Sequence, residues 1–195
     1  LHGHFLIWLE GGMNPSDVHK RMKEDDSFKR RYFRFYESVS MHHLPDAKPP
    51  NFDATRYEPR VELPPVPPVP DSDGRLPQDI LNEWDDVMRT EIYMCGETLQ
   101  RHTCRAVCHK YGNDNRCRFL FPHETVEASY FDPESNTVAL LCRDPTINWF
   151  NPYILVFCRH NHDIRCILSG KSAKAAMFYI TDYITKMDMK TNQML

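Results

Sequence analysis

Two histidines stand among the first residues of the sequence, His2-Gly3-His4, and two tyrosines among the last, in Tyr179-Ile-Thr-Asp-Tyr183-Ile-Thr-Lys186. Side chains on a β-strand alternate between faces, so imidazoles two residues apart point the same way and can share one divalent cation. On a helix, a four-residue step places both phenols on one face, one turn apart, with Lys186 on the same side. A tyrosine hydroxyl is a nucleophile at phosphorus when a cation polarises the phosphate and a lysine stabilises charge. Taken singly, neither pattern is specific. In a chain with ten histidines an H-x-H pair is commonly a surface or structural pair, and tyrosines at helical spacing commonly pack on a sheet.

A second group of chemistry-bearing residues runs His102-x-Cys104-x3-Cys108-x8-Cys117, with Cys95, His109 and His123 nearby in sequence. Zinc takes four nitrogen or sulfur ligands in a tetrahedron, and short spacings on a loop supply two of them readily. His102, Cys104, Cys108 and Cys117 are the preferred set for a structural Zn²⁺; buried free thiols are the other reading. Residues 101–118 carry five Lys/Arg against one acid, which suits a knuckle facing a phosphate backbone. Ser169-Gly-Lys-Ser172 imitates a phosphate-binding loop, but the glycine that pattern needs five positions before Gly170 is Arg165, so a P-loop is not expected.

Read together and in order, these features resemble a known family. The H-x-H run, Cys117-Arg-Phe-Leu-Phe-Pro122, Phe150-Asn-Pro-Tyr153, Asn161-His-Asp-Ile164 and the Tyr179–Lys186 motif are similar to the Rep, or helicase-like, N-terminal region of Helitron rolling-circle transposons. These are HUH endonucleases of the two-tyrosine type. The resemblance spans nearly the whole chain and is weakest over the proline-rich segment. It implies a nuclease that nicks one strand of single-stranded DNA and joins itself to the 5′ end. His2 and His4 would bind Mg²⁺ or Mn²⁺, and Tyr179 or Tyr183 would attack to leave a 5′-phosphotyrosine and a free 3′-OH. The other tyrosine would serve a second transfer, and Lys186 would contact phosphate or favour the phenolate. Asp163 and His162 are the candidates for the third metal ligand such a site would need. Gly3 stands where the motif has a hydrophobic residue that anchors the strand. The family also has a similar Cys/His segment at this place, resembling a zinc-finger-type element. The implied partners are single-stranded DNA and a helicase region of the same longer polypeptide, in an intracellular, nuclear setting. The competing class is a non-catalytic nucleic-acid-binding remnant of such a transposon protein.

The elements that must position these residues follow from composition and periodicity. The chain has 195 residues, 41% hydrophobic and 26% charged, with 15 prolines against 7 glycines. That length suits one domain with a sizeable insertion, and excludes a kinase, a TIM barrel or a complete helicase. No apolar run approaches a membrane span, so no membrane partner is expected. A net charge of −3 confines any nucleic-acid contact to local patches, of which residues 20–34, with seven Lys/Arg against three acids, are the second. Seven cysteines without a secretory signal point to a reducing compartment. The chain reads as an internal piece of a longer polypeptide.

Residues 1–9 are expected as a strand ending at Gly11-Gly12. Asn14-Pro15 then opens a helix to about Glu24. A second helix from Ser27 to about Ser40 carries Phe28, Tyr32, Phe35 and Tyr36 as a core-facing stripe. Residues 44–77 hold ten of the fifteen prolines, including Leu63-Pro-Pro-Val-Pro-Pro-Val-Pro70, and read as an extended spacer; a ligand for an SH3-like or WW-like domain is the alternative. An acidic helix is expected from Gln78 to about Leu99, and a hairpin from residues 128–131 and 138–142. Tyr153–Cys158 and Ile164–Leu168 read as strands and Ser172–Met187 as a final helix. The expected fold is α+β, a mainly antiparallel sheet with helices packed on it in the HUH/Rep manner. Its parts are residues 1–43 (H-x-H strand and helices), 44–77 (proline-rich insertion) and 78–195 (acidic helix, Cys/His segment, sheet and tyrosine helix).

Overall fold

The computed structural model describes residues 3–7, 10–109, 116–135, 137–164, 174–175 and 177–181. The chain divides into two compact units: residues 1–32, 131–138 and 166–195 form the first, and residues 33–130 and 139–165 the second.

In the first unit, α1 spans Pro15–Glu24. Asn14 caps it, its Oδ1 accepting from the Ser16 N–H at 3.0 Å and from Ser16 Oγ at 2.7 Å, and Pro15 supplies a first residue whose missing N–H costs nothing. Val18 and Met22, four apart on one face, are the buried residues of this helix. Asp25 ends α1 and opens α2 (Asp26–Val39), whose residues from Phe33 on belong to the second unit; Asp25 Oδ1 accepts from the Phe28 N–H at 2.9 Å. The Arg21 guanidinium sits 4.2 Å from the Phe28 ring centroid, and Phe28 meets Tyr32 at 5.7 Å. The aromatic stripe of α2 is a half-buried face rather than the expected core face: α2 has no buried residue, and Phe35 is exposed. Residues 3–7 carry no assigned strand, whereas 177–181 are helical as expected.

The second unit is built around α3 (Gln78–Cys95), whose Met88 and Cys95 are buried. It widens into a π-helical turn over Gly96–Gln100. Gly96 permits a close approach there: a Cβ would lie 2.2 Å from Leu44 Cδ2 and would oblige that side chain to shift. Cys95, Ile147, Phe150 and Leu155 form the core, with Met41, Leu44, Tyr57, Ile92 and Leu99 packed against it. Two backbone ladders close the unit. Met41 and Phe150 exchange both bonds, at 2.7 and 3.0 Å, and Arg101 pairs antiparallel with Ile147. The hairpin, whose residues 131–138 belong to the first unit, is present as β1 (Tyr130–Asp132) and β2 (Thr137–Ala139), two paired strands of three residues; Val126 and Cys142 of the second unit form an antiparallel bridge.

Helices and a small antiparallel sheet make the chain α+β. Among the described residues the sheet is two short strands, not the dominant layer expected. One expected strand is a helix: α4 runs Pro152–Cys158. The Asn151 side chain accepts from the Ile154 N–H at 3.0 Å and Pro152 takes the first helical position, the same start signal as Asn14-Pro15. A short apolar run does not distinguish a buried strand from a buried helix by periodicity. Here Leu155 and Val156, fully buried on one side, decide for helix. The strand expected at Ile164–Leu168 and the Ser169–Ser172 decoy fall, apart from Ile164, outside the described residues; Ile164 has no regular structure, its N–H donating to the Trp149 carbonyl at 3.1 Å.

Candidate metal centre

The Cys/His group converges. One donor atom from each of His102, Cys104, Cys108 and Cys117 lies within 4.8 Å of the others, the one such cluster of three or more donors among the described residues. His102 Nε2 is 3.4 Å from Cys104 Sγ, 3.7 Å from Cys108 Sγ and 3.3 Å from Cys117 Sγ. Zinc–sulfur bonds of about 2.3 Å and zinc–nitrogen bonds of about 2.05 Å, spread tetrahedrally, require N···S separations of about 3.6 Å. The three observed values bracket that figure, so the set can hold a metal such as Zn²⁺.

Each ligand is placed by its own local structure. His102 follows the π-helical turn and is fixed through its neighbour. Arg101 grips Glu97 with Nε and Nη2 at 2.6 and 2.7 Å, while its Nη1 reaches Asp144 at 2.9 Å and Thr146 Oγ1 at 2.5 Å. The His102 N–H donates to the Thr146 carbonyl at 2.8 Å, and its ring lies flat against Phe121, centroids 4.1 Å apart and planes at 7°. Burial and the nearby Arg105 charge hold the imidazole below its ordinary pKa, in the neutral form a metal needs. Cys108 sits in a 3₁₀ turn, Ala106–His109, and its Sγ accepts from the Arg105 N–H at 3.4 Å. Cys108 also accepts at its carbonyl from the Arg118 N–H, at 2.9 Å, which ties the two thiol-bearing segments together.

Cys117 heads a tight turn in which the Leu120 N–H donates to its carbonyl at 2.8 Å and Leu120 adopts φ 63°. That turn aims the Phe119 and Phe121 N–H groups at the sulfur. Burial opposes ionisation of Cys117, but these donors outweigh it and leave the thiol below its ordinary pKa. Loss of hydration, then the neighbouring Cys117 and Cys108 sulfurs, push Cys104 upward. Three thiols this close cannot all ionise unless a cation sits among them. Cys95 is not part of the set: it is buried in the core, where Arg159 Nη1 lies 3.1 Å from its Sγ.

Of the H-x-H and tyrosine residues, His4 and Tyr179 are brought together. Their rings meet edge-to-face, centroids 5.1 Å apart at 82°, both in the first unit and both exposed. His2, Tyr183 and Lys186 lie outside the described residues. Asp163 is exposed in the second unit. His162, the alternative third ligand, has structural work: Nε2 accepts from the Asn151 N–H at 2.9 Å, and Nδ1 lies 3.3 Å from the His160 carbonyl. Burial lowers its pKa, consistent with a neutral ring in that position.

Two features had no sequence signal. A ladder of rings continues from His102 and Phe121 through His123 and buried His42 to Trp149, with centroid separations of 4.2, 5.2 and 4.1 Å after the first step. Buried Arg159 ends α4 with φ 54°, a backbone region that favours glycine. Its Nη1 reaches Glu91 at 2.9 Å and Tyr57 Oη at 2.7 Å, and Nη2 donates to the Leu63 carbonyl at 3.0 Å. No described helix is long and apolar enough to cross a membrane. No protein-family model, curated protein or solved structure matches the chain.

Proposed function

We propose that this chain is a metal-dependent, two-tyrosine nuclease of the HUH type, the Rep part of a Helitron-like replicase acting on single-stranded DNA. The sequence resemblance supplies the reading, and one structural observation supports it: His4 and Tyr179, from distant parts of the chain, place an imidazole edge against a phenol ring. In this reading the two would be a metal ligand and the nucleophile, which must act at one substrate phosphate.

In this reading the Tyr179 oxygen attacks phosphorus, the P–O3′ bond breaks, and the departing 3′ oxygen takes up a proton. The product is a 5′-phosphotyrosine, which keeps the energy of the phosphodiester, so religation needs no nucleotide. His4 and His2 are donors of the right type for Mg²⁺ or Mn²⁺, which when bound supplies positive charge to the phosphate oxygens. His4 also restrains the phenol through its ring contact. Tyr183 serves the second transfer and Lys186 the phosphate. The Cys/His cluster is the structural zinc element of the same domain, and Arg105, Arg116 and Arg118 beside it meet backbone phosphates.

The test is a denaturing gel of the chain with end-labelled single-stranded oligonucleotides and Mn²⁺, beside His2→Ala and a Tyr179→Phe/Tyr183→Phe double variant. A covalent adduct carrying only the label downstream of the nick, absent from both variants, is the expected result. DNA retained on a filter by a folded chain that forms no adduct would replace this reading with the non-catalytic remnant.

A further inference from the structure

The segment Leu63–Pro70 is a rod with a sided surface. Five of its eight residues are prolines, which fix φ, and five precede a proline, which pushes ψ into the extended range. No helix or strand is assigned to it, so the polyproline II form, three residues per turn, is the conformation these constraints leave. With that period Leu63, Val66 and Val69 share one edge, and they are 89%, 85% and 84% exposed. Pro65 and Pro68 share another edge and are half-buried. The outward surface therefore carries Leu63 and the pairs Val66-Pro67 and Val69-Pro70, while Pro64, like Pro65 and Pro68, is half-buried.

The rod is held at both ends. At its start Pro59 is buried and the Leu63 carbonyl accepts from buried Arg159. At its far end Asp71 closes a turn: its Oδ1 accepts from the Asp73 and Arg75 N–H groups at 2.9 and 2.8 Å, and Gly74 takes φ 75°. About 22 Å of extended chain is thus presented already ordered, so a partner pays little conformational entropy to bind it.

We propose that residues 63–70 are a docking rod for a small domain of the WW type, whose parallel aromatic rings form grooves that accept successive aliphatic–proline pairs. The flanks select this class. The residues adjoining the rod, Glu62 and Asp71, are acidic, and Arg60 and Arg75 stand outside them, three residues before Leu63 and five after Pro70. A groove that reads a basic residue directly beside the prolines therefore finds none, whereas an aromatic groove with a basic rim is matched in charge. This assignment is independent of the nuclease reading.

The experiment is calorimetric titration of the whole chain with a recombinant WW domain that binds Pro-Pro-Leu-Pro peptides, and with an SH3 domain that requires a flanking arginine. Saturable binding to the WW domain is expected, weakened roughly tenfold or more, about 1.4 kcal/mol, by a Val66→Ala/Pro67→Ala double variant whose near-ultraviolet circular dichroism is unchanged. No binding to the WW domain, binding that the double variant leaves intact, or preference for the SH3 domain would each overturn the proposal.

Discussion

The ring of Phe121 lies parallel to that of His102, 4.1 Å away, while the Phe121 N–H also points at the Cys117 sulfur. One residue thus orients the nitrogen ligand through its side chain and a sulfur ligand through its backbone. The first prediction follows: Phe121→Ala, which keeps the N–H and removes the ring, leaves zinc stoichiometry at one but speeds metal release to a chromogenic chelator. Loss of the stacking contact is worth about 0.5–1.5 kcal/mol.

Removal of a ligand acts more strongly. Cys108→Ser and Cys117→Ser place a poorer donor at two buried positions, and each should lower bound zinc, measured by elemental analysis, from one per chain toward zero. Binding free energy at a structural site is folding free energy, so thermal unfolding shifts down with it. At about 2–4 °C for each kcal/mol in a chain of this size, a drop of roughly 5 °C or more is expected. An unchanged melting temperature in zinc-free protein would show that the cluster does not contribute to the fold.

The Arg159–Glu91 pair is buried on the arginine side and mostly buried on the glutamate side. Glu91→Ala leaves the guanidinium with Tyr57, Cys95 and a carbonyl but without its counter-charge. Breaking such a pair costs about 3–5 kcal/mol, whereas replacing both partners with apolar residues is far milder. Urea unfolding of Glu91→Ala and of Glu91→Leu/Arg159→Met tests this, and the double variant should recover most of the loss.

Stability should fall on mild acidification. His162 has a folded pKa below its ordinary value of 6.5, chiefly from burial. A neutral, half-buried imidazole binds fewer protons than its unfolded counterpart below about pH 6.5, so unfolding becomes easier as pH drops through that value. His43, also lowered mainly by burial, adds to the same slope. His162→Gln flattens the profile of unfolding free energy between pH 7 and pH 5; a profile as steep as that of the parent would assign the slope elsewhere.

Gly96→Ala tests the approach of Leu44 to the π-helical turn. The added methyl must displace Leu44 Cδ2, and overpacking of this kind costs about 1–3 kcal/mol. Leu44→Ala in the same chain opens the space, so the two changes together should cost less than their sum, as read by a double-mutant cycle in urea.

Local signals were legible in the sequence where local chemistry decides the outcome. Asn14-Pro15 gave the start of α1 because a cap and a pre-set φ need no tertiary partner. The acidic helix from Gln78 is legible from the helical spacing of Ile80, Leu81, Trp84, Val87, Met88 and Ile92, and the hairpin from its Asp132 turn, where Asp132 Oδ1 accepts from the Glu134 N–H at 3.0 Å. The four-member Cys/His set was readable from spacing alone. Tyr153–Cys158 reads as a strand from its apolar content, but the Asn151-Pro152 cap that precedes it starts a helix. Glu97 and Arg101 are at helical i, i+4 spacing, but the reach of Arg101 to Asp144 and Thr146, and that of Arg159 to Glu91 and Tyr57, joins residues whose spacing carries no period. Only the folded chain brings them together.

The ladder between Met41 and Phe150 has a consequence for how the protein is made. Translation proceeds from the N-terminus at about 5–20 residues each second. Met41 therefore leaves the ribosome seconds before the strand-like partner it needs, and the core residues Ile147, Phe150 and Leu155 arrive last of all. Until they emerge, α3 presents the core-facing side of Cys95 and Ile92 to solvent. The second unit is thus completed in one late event, and the interval before it is when a nascent chain of this sequence most needs a chaperone.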